Sequence, residues 1–170
     1  KKETLLRLNK KVIQAKDYIA EHGFNDKHCF LVDMRLPSGK NRFFVYNLGK
    51  DSVEIAGLVA HGSGITNTDA PVFSNTPNSY CTSLGKYKIG KSYNGKFGLA
   101  YKLYGLEKTN SKAFDRFVVL HAHECVPNDE ISPLPICESW GCPTVAPAFL
   151  TRLKTYLEKS EEPILLWIYY

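Results

Sequence analysis

Cys142 stands in the run Glu138-Ser139-Trp140-Gly141-Cys142-Pro143, and Leu120-His121-Ala122-His123 closes an apolar run upstream of it. A thiol preceded by Gly and followed by Pro belongs on a tight turn with accessible backbone. Cysteine acyl chemistry needs a thiolate, a proton acceptor that later serves as acid for the leaving amine, and donors for a developing oxyanion. Cys142 supplies the sulfur, His121 or His123 the base, and the N–H groups around Gly141 and Cys142 the donors, with Ser139 near enough to orient them. In an extended segment alternate side chains share a face, so His121 and His123 are expected on one side and Val118 and Leu120 on the other. Spacing singles out no carboxylate as a third member, although Glu124 and Asp115 are close in sequence.

Other chemistry for the same residues is weaker. His121, His123, Cys125, Cys137 and Cys142 are each good zinc ligands, but their spacings match no compact zinc motif, and no metal is expected. The five cysteines form an odd set. In an exported protein four could pair and leave the nucleophile free; Cys125 and Cys137 bracket a Pro-rich loop and are a candidate bridge, though spacing does not fix connectivity. Buried reduced thiols acting as small hydrophobes are the alternative. His61-Gly62-Ser63-Gly64 ends a strand pattern, and its glycines would let backbone approach a ligand closely. His61 then either lines a cleft or caps the strand. A phosphate cradle is disfavoured, because the GxxxxGK[ST] spacing is missing.

The elements that must position these groups are mostly strands. A chain of 170 residues with 44% hydrophobic content can bury one core, so a single domain over 1–170 is expected, with residues 1–23 as a packing extension. Leu5, Leu8, Val12, Ala15 and Ile19 recur at spacings of three and four, which predicts an N-terminal amphipathic helix stopped at Gly23. His22 and His28 flank that stop as surface or capping residues. Residues 29–36 and 42–48 read as a hairpin, and 53–60 as a third strand. Residues 65–85 form a long polar stretch that is a candidate cleft wall. Short strands at 87–89 and 99–104 flank an Asn94-Gly95 turn signal, and 116–123 is the strand that carries the histidines. Pro147 suits the first turn of a helix to residue 158, and 164–170 reads as a buried final strand. That last run is too short to span a membrane. The net charge of +5 is dispersed, with no basic run interleaved with aromatics, so a nucleic-acid partner is not expected. The chain opens on Lys1-Lys2 without Met, compatible with a removed export signal.

Taken in order, VAHGSG, FSNTPNSY, TSLGKYKIG, YNGKFG, RFVVLHAHECV and SWGCP resemble the murein L,D-transpeptidase catalytic domain family, a branch of the YkuD-type L,D-transpeptidases, from about Phe30 to the C-terminus. The resemblance implies a mainly β fold, an L,D-transpeptidase-like β-sandwich or sheet domain with the N-terminal helix and a short helix after the catalytic Cys. It implies Cys142 as acylated nucleophile, His121 as general base, and Ser139 and Gly141 shaping the oxyanion site. Substrate-binding candidates are His61, Gly62, Ser63, Ser83, Gly85, Arg116, His123 and Trp140. Residues 82–89 resemble the family's TPxGxFxI segment, with Gly85 retained and Ser83-Leu84 where that pattern has Pro. Trp140 and Pro143 depart from many relatives, which carry His or another polar residue and Arg there. The implied partners are peptidoglycan stem peptides as donor and acceptor, with no cofactor, in an exported, periplasmic or cell-envelope protein. L,D-carboxypeptidase action, another cysteine amidase activity, and a non-catalytic wall-binding module are the alternatives.

Overall fold

The structure is a computed structural model that describes residues 1–66 and 70–170; Asn67, Thr68 and Asp69, part of the 65–85 stretch, lie outside the described residues. Its elements in chain order are α1 (Lys2–His22), β1 (His28–Asp33), β2 (Phe43–Asn47), β3 (Ser52–Gly57), β4 (Val59–Ala60), β5 (Gly85–Gly95), β6 (Gly98–Gly105), β7 (Val119–Ala122), β8 (Thr144–Val145), α2 (Pro147–Lys159) and β9 (Leu165–Tyr169). The fold is mainly β, as the sequence implies. All nine strands form one sheet in the order β3-β2-β1-β9-β5-β6-β7-β8-β4.

That order carries a geometric consequence. β3 and β4 are the two edges of the sheet, yet only Leu58 separates them in the chain, so the sheet must curl until its edges meet. The enclosed side is filled by apolar residues from both ends of the order, among them Phe30, Phe43, Leu103 and Leu120, together with Phe149, Leu150 and Leu153 of α2. Gly57, at the closing edge, leaves room for the Phe149 ring, since a Cβ there would sit 2.8 Å from it.

The outer side of the central strands is covered by α1. Leu8, Val12, Ala15 and Ile19 bury against Leu31, Leu165, Trp167 and Tyr169, while Leu5, the first residue of the helical period, stays exposed. Gly23 ends the helix at φ 71°, a left-handed conformation that glycine adopts without a Cβ penalty, and its N–H closes on Ile19 O at 3.0 Å. β9 is buried at every position because it lies mid-sheet, parallel to β1 and antiparallel to β5.

Several boundaries differ from the sequence reading. The 53–60 run is two strands, broken at Leu58 where the chain crosses between sheet edges. The 87–89 strand extends over Gly85–Gly95, and its hairpin closes with Gly95 paired to Gly98, so Lys96 and Phe97 form the tip just after the Asn-Gly pair. The 116–123 strand shortens to Val119–Ala122, because Phe117 takes a φ of 57° and turns the chain into it. No helix among the described residues is long and apolar enough to cross a membrane.

Candidate active site

β7 and β8 run parallel with His121 opposite Thr144. Paired residues share a sheet face, so the Thr144 hydroxyl lies 3.2 Å from His121 Nε2. Cys142 precedes Thr144 by two residues, just ahead of the strand. Its sulfur rests against the start of β7, accepting the Val119 N–H at 3.4 Å and lying 3.6 Å from Phe117 O, toward which the thiol hydrogen points. The site is thus joined through β7: its first residue, Val119, holds the sulfur, and its third, His121, faces Thr144, two residues past Cys142.

The hydrogen bonds around His121 fix its tautomer. Ala122 O, which can only accept, lies 3.0 Å from Nδ1, so Nδ1 carries the hydrogen. In the neutral ring Nε2 then holds the lone pair a base needs. Burial lowers the His121 pKa, with nearby His123 acting in the same direction and the Ala122 carbonyl opposing. Burial raises the Cys142 thiol, opposed by the Val119 N–H and the Arg116 guanidinium. Both groups are therefore neutral at rest near pH 7. Phe97, at the β5–β6 hairpin tip, stacks on His121 at 4.8 Å and 12° and limits water over the ring.

The turn that presents Cys142 is wound tightly. Ser139 Oγ donates to Cys142 O at 2.7 Å and accepts the Gly141 N–H at 3.2 Å, while Thr144 Oγ1 reaches the same Cys142 carbonyl at 3.0 Å. Gly141 has φ 118°, and a Cβ there would lie 2.7 Å from Cys81 O, so both conformation and space require glycine. Tyr80, Asn78 and Phe117 also have positive φ. Such a concentration of left-handed, non-glycine backbone near a free thiol is the pattern of strain held at functional sites.

Arg116 ties the surrounding segments together. Its guanidinium donates to Ser74 O, Ser83 Oγ, Ser79 Oγ and Cys81 O at 2.8–3.1 Å. Thr82 Oγ1 links the same segment to the Cys142 turn, donating to Gly141 O at 3.2 Å and accepting the Gly62 N–H at 2.9 Å.

The structure sorts the substrate-binding candidates of the sequence. Ser63 meets the Cys142 turn through its backbone, donating to Ser139 O at 2.8 Å, and Gly62 bridges Ser139. His61 also approaches by main chain, its carbonyl accepting the Ser139 N–H at 2.9 Å. Its imidazole is engaged elsewhere: Nδ1 accepts from Arg42 Nη2 at 2.9 Å, and Ala60, not His61, shares the face of Thr144 and His121. Ser83 and Gly85 are buried; Ser83 serves Arg116, and Gly85 packs against Glu107 and Asn110. His123 lies beyond β7, exposed, with Nδ1 accepting the Cys125 N–H at 3.0 Å. The strand ends at Ala122, one residue short of His123, yet both imidazoles meet the Phe97 ring, with centroids 4.8 Å away for His121 and 5.8 Å for His123. Trp140 is 74% exposed beside Tyr80, with ring centroids 5.9 Å apart.

Thr144 and Phe97 belong to the site without being singled out by motif spacing. Thr144 lies two residues past Cys142, which in an extended chain is the same face, and this is the one local signal for it. Among the described residues no three His, Cys, Asp or Glu side chains converge as a metal-ligand set. Cys125 and Cys137 form a disulfide with Cα atoms 6.0 Å apart, while Cys29 and Cys81 are buried and free.

A curled sheet, with a histidine on one strand and a free cysteine just ahead of the parallel strand beside it, has the organisation of an L,D-transpeptidase domain. The sequence model of the L,D-transpeptidase catalytic domain family matches residues 2–169, and the chain belongs to that family. None of the curated proteins matches it in sequence. Among solved structures, the helical cell shape determining protein Pgp2 from Campylobacter jejuni is similar, with TM-score 0.53 and 13% identity, covering 90% of this chain and 54% of that one. Its K307A mutant is similar with TM-score 0.54 and 14% identity, covering 90% and 53%. The Ldtfm-avibactam carbamoyl enzyme has TM-score 0.52 and 11% identity, covering 86% and 50%. The likeness is one of fold, and this chain spans 50–54% of the length of those chains.

Proposed function

We propose that this domain transfers acyl groups of peptidoglycan stem peptides through a thioester on Cys142, with His121 as base. The observation that supports the reading is the hydrogen bonding of His121: Nδ1–H is committed to Ala122 O, which leaves the Nε2 lone pair beside the hydroxyl of Thr144, two residues past Cys142. Loss of the Cys142 proton to Nε2 gives a thiolate that attacks the carbonyl carbon of a stem-peptide amide. The C–S bond forms and the carbonyl electrons move to oxygen. As the tetrahedral centre collapses, the C–N bond breaks and the departing D-residue amine takes the proton from His121. A second amine then attacks the thioester, His121 accepts its proton, and sulfur leaves as thiolate.

The oxyanion needs hydrogen-bond donors, and the Gly141 N–H is already donated to Ser139 Oγ. Ser139 and Gly141 are therefore positioning residues for the turn, and the Cys142 N–H is the backbone donor for the developing charge. The Cys125–Cys137 bridge supports an oxidising, exported setting. The amine acceptor yields an L,D cross-link; water in its place yields a trimmed stem.

Incubation with disaccharide tetrapeptide, followed by mass spectrometry of muropeptides and of the protein, tests the proposal. A Cys142 adduct with dimer or tripeptide is expected. Absence of all three in a folded protein overturns the acyl-transfer reading, and tripeptide without dimer assigns carboxypeptidase action.

A further inference from the structure

The sheet face that carries His121 continues past it as a row of exposed aromatic and lysine side chains. On β6, Ala100 pairs with His121, Lys102 with Val119, and Tyr104 with Lys88 of β5. Cross-strand partners and alternate residues share a face, so Lys102, Tyr104 and Lys88 lie on the imidazole's side. The intervening Tyr101, Leu103, Tyr87 and Ile89 point into the core. Phe114, from the segment that leads into β7, stacks on Tyr104 at 5.0 Å and 11°. Lys102 Nζ lies 5.8 Å from the Tyr93 ring and 5.9 Å from the Phe114 ring, and Lys88 Nζ lies 5.7 Å from the Tyr104 ring.

Three properties separate this row from ordinary surface. Tyr93, Tyr104 and Phe114 are 38%, 37% and 45% exposed, so their rings remain available although held by neighbours. Gly90 leaves the neighbouring strand bare under Tyr104: a Cβ there would lie 2.6 Å from the ring. Among the described residues neither Lys88 nor Lys102 has a carboxylate partner.

We propose that this row, from Tyr93 through Lys102, Phe114 and Tyr104 to Lys88, binds the glycan strand of peptidoglycan and feeds stem peptides to Cys142. The inference rests on the reading of the substrate given above. Pyranose rings present flat C–H faces that pack on exposed aromatic rings, and a muramic residue adds a carboxylate, or the amide that replaces it, once per disaccharide. Pre-ordered rings meet the sugars without losing further side-chain entropy, and the ammonium groups meet carboxylates. An apolar protein partner would leave two lysines buried without counter-charge. The row is also continuous with the catalytic face, since Lys102 pairs with the residue whose N–H rests on the Cys142 sulfur.

The test is binding of peptide-free glycan strands, which keep their lactyl carboxylates, to the Cys142→Ala protein, so that acyl chemistry plays no part. Tyr104→Ala with Phe114→Ala is expected to weaken binding about tenfold or more. Lys102→Gln should weaken it less and flatten its salt dependence, and Tyr104→Phe should retain it, with thermal melts confirming that each variant is folded. No binding, binding unchanged in the double variant, or equal binding of polyglutamate or single-stranded DNA overturns the proposal. Strand binding by a protein that fails the muropeptide assay would leave this surface standing and remove the proposed reaction.

Discussion

Burial drives Cys142 and His121 in opposite directions on the pH scale, and the consequence is a neutral pair. Both directions favour the neutral forms near pH 7 over a resting thiolate–imidazolium pair. The imidazole is lowered from its ordinary value of 6.5, so its lone pair is available at and above neutrality; the thiol is raised from 9.0, so free thiolate appears only in alkali. We expect the acid limb of kcat/KM below pH 6.5 and slow alkylation of Cys142 by iodoacetamide at pH 7 that accelerates above pH 9. An acid limb on the alkaline side of 6.5 would assign the base elsewhere. The two histidines should also separate. His121→Ala is expected to reduce Cys142 acylation at least about a hundredfold, the scale of a lost general base, measured as adduct formation by mass spectrometry. His123→Ala should have a much smaller effect, because His123 lies past the end of β7, is exposed, and has its Nδ1 engaged by the Cys125 N–H. The reverse order would show that the tautomer argument for His121 is wrong.

At the scale of elements, the turn that carries Cys142 depends on contacts made by its neighbours. The turn is clasped on one side by His61, Gly62 and Ser63, the segment that follows β4, and on the other by Cys81 and Thr82, which Arg116 holds in place. Gly141→Ala sets a methyl against Cys81 O while forcing a side chain into φ 118°. We expect a loss of about 1–3 kcal/mol in thermal or denaturant unfolding and a larger fall in Cys142 acylation, since relief of the clash must move the turn. Unchanged acylation would mean that the turn tolerates displacement and that its geometry does not set the rate.

For the whole molecule, closure of the curled sheet places Arg42 at the meeting of its edges. The buried guanidinium donates to Val59 O at 2.7 and 3.0 Å, to Leu36 O at 3.1 Å, and to His61 Nδ1 at 2.9 Å. Burial and this neighbouring charge lower His61 from 6.5 to about 4. In the unfolded chain the same imidazole takes up a proton near 6.5, so between 6.5 and about 4 the unfolded state binds more protons, and stability rises with pH. His61 thus contributes full stability above pH 6.5 and loses it progressively on acidification toward pH 4. His61→Gln keeps an acceptor for Arg42 without the titration. Its unfolding free energy should fall less than that of the parent over this window; equal slopes would remove His61 as the source.

The sequence by itself determined the mainly β architecture, the two amphipathic helices and the residue types of the reactive pair. These are local properties: periodicity, turn chemistry, and the rarity of a thiol between Gly and Pro. It left His121 and His123 equivalent on strand alternation. The tertiary structure separated them, because the β7 ladder ends at Ala122 and only His121 faces Thr144 across it. It also turned the His61 imidazole away from His121 and toward Arg42, although both histidines end strand patterns in the sequence. Thr144, Phe97 and the row along β6 depend on register between strands far apart in the chain. Register follows from how the sheet curls to join β3 to β4 through Leu58, which no local pattern encodes.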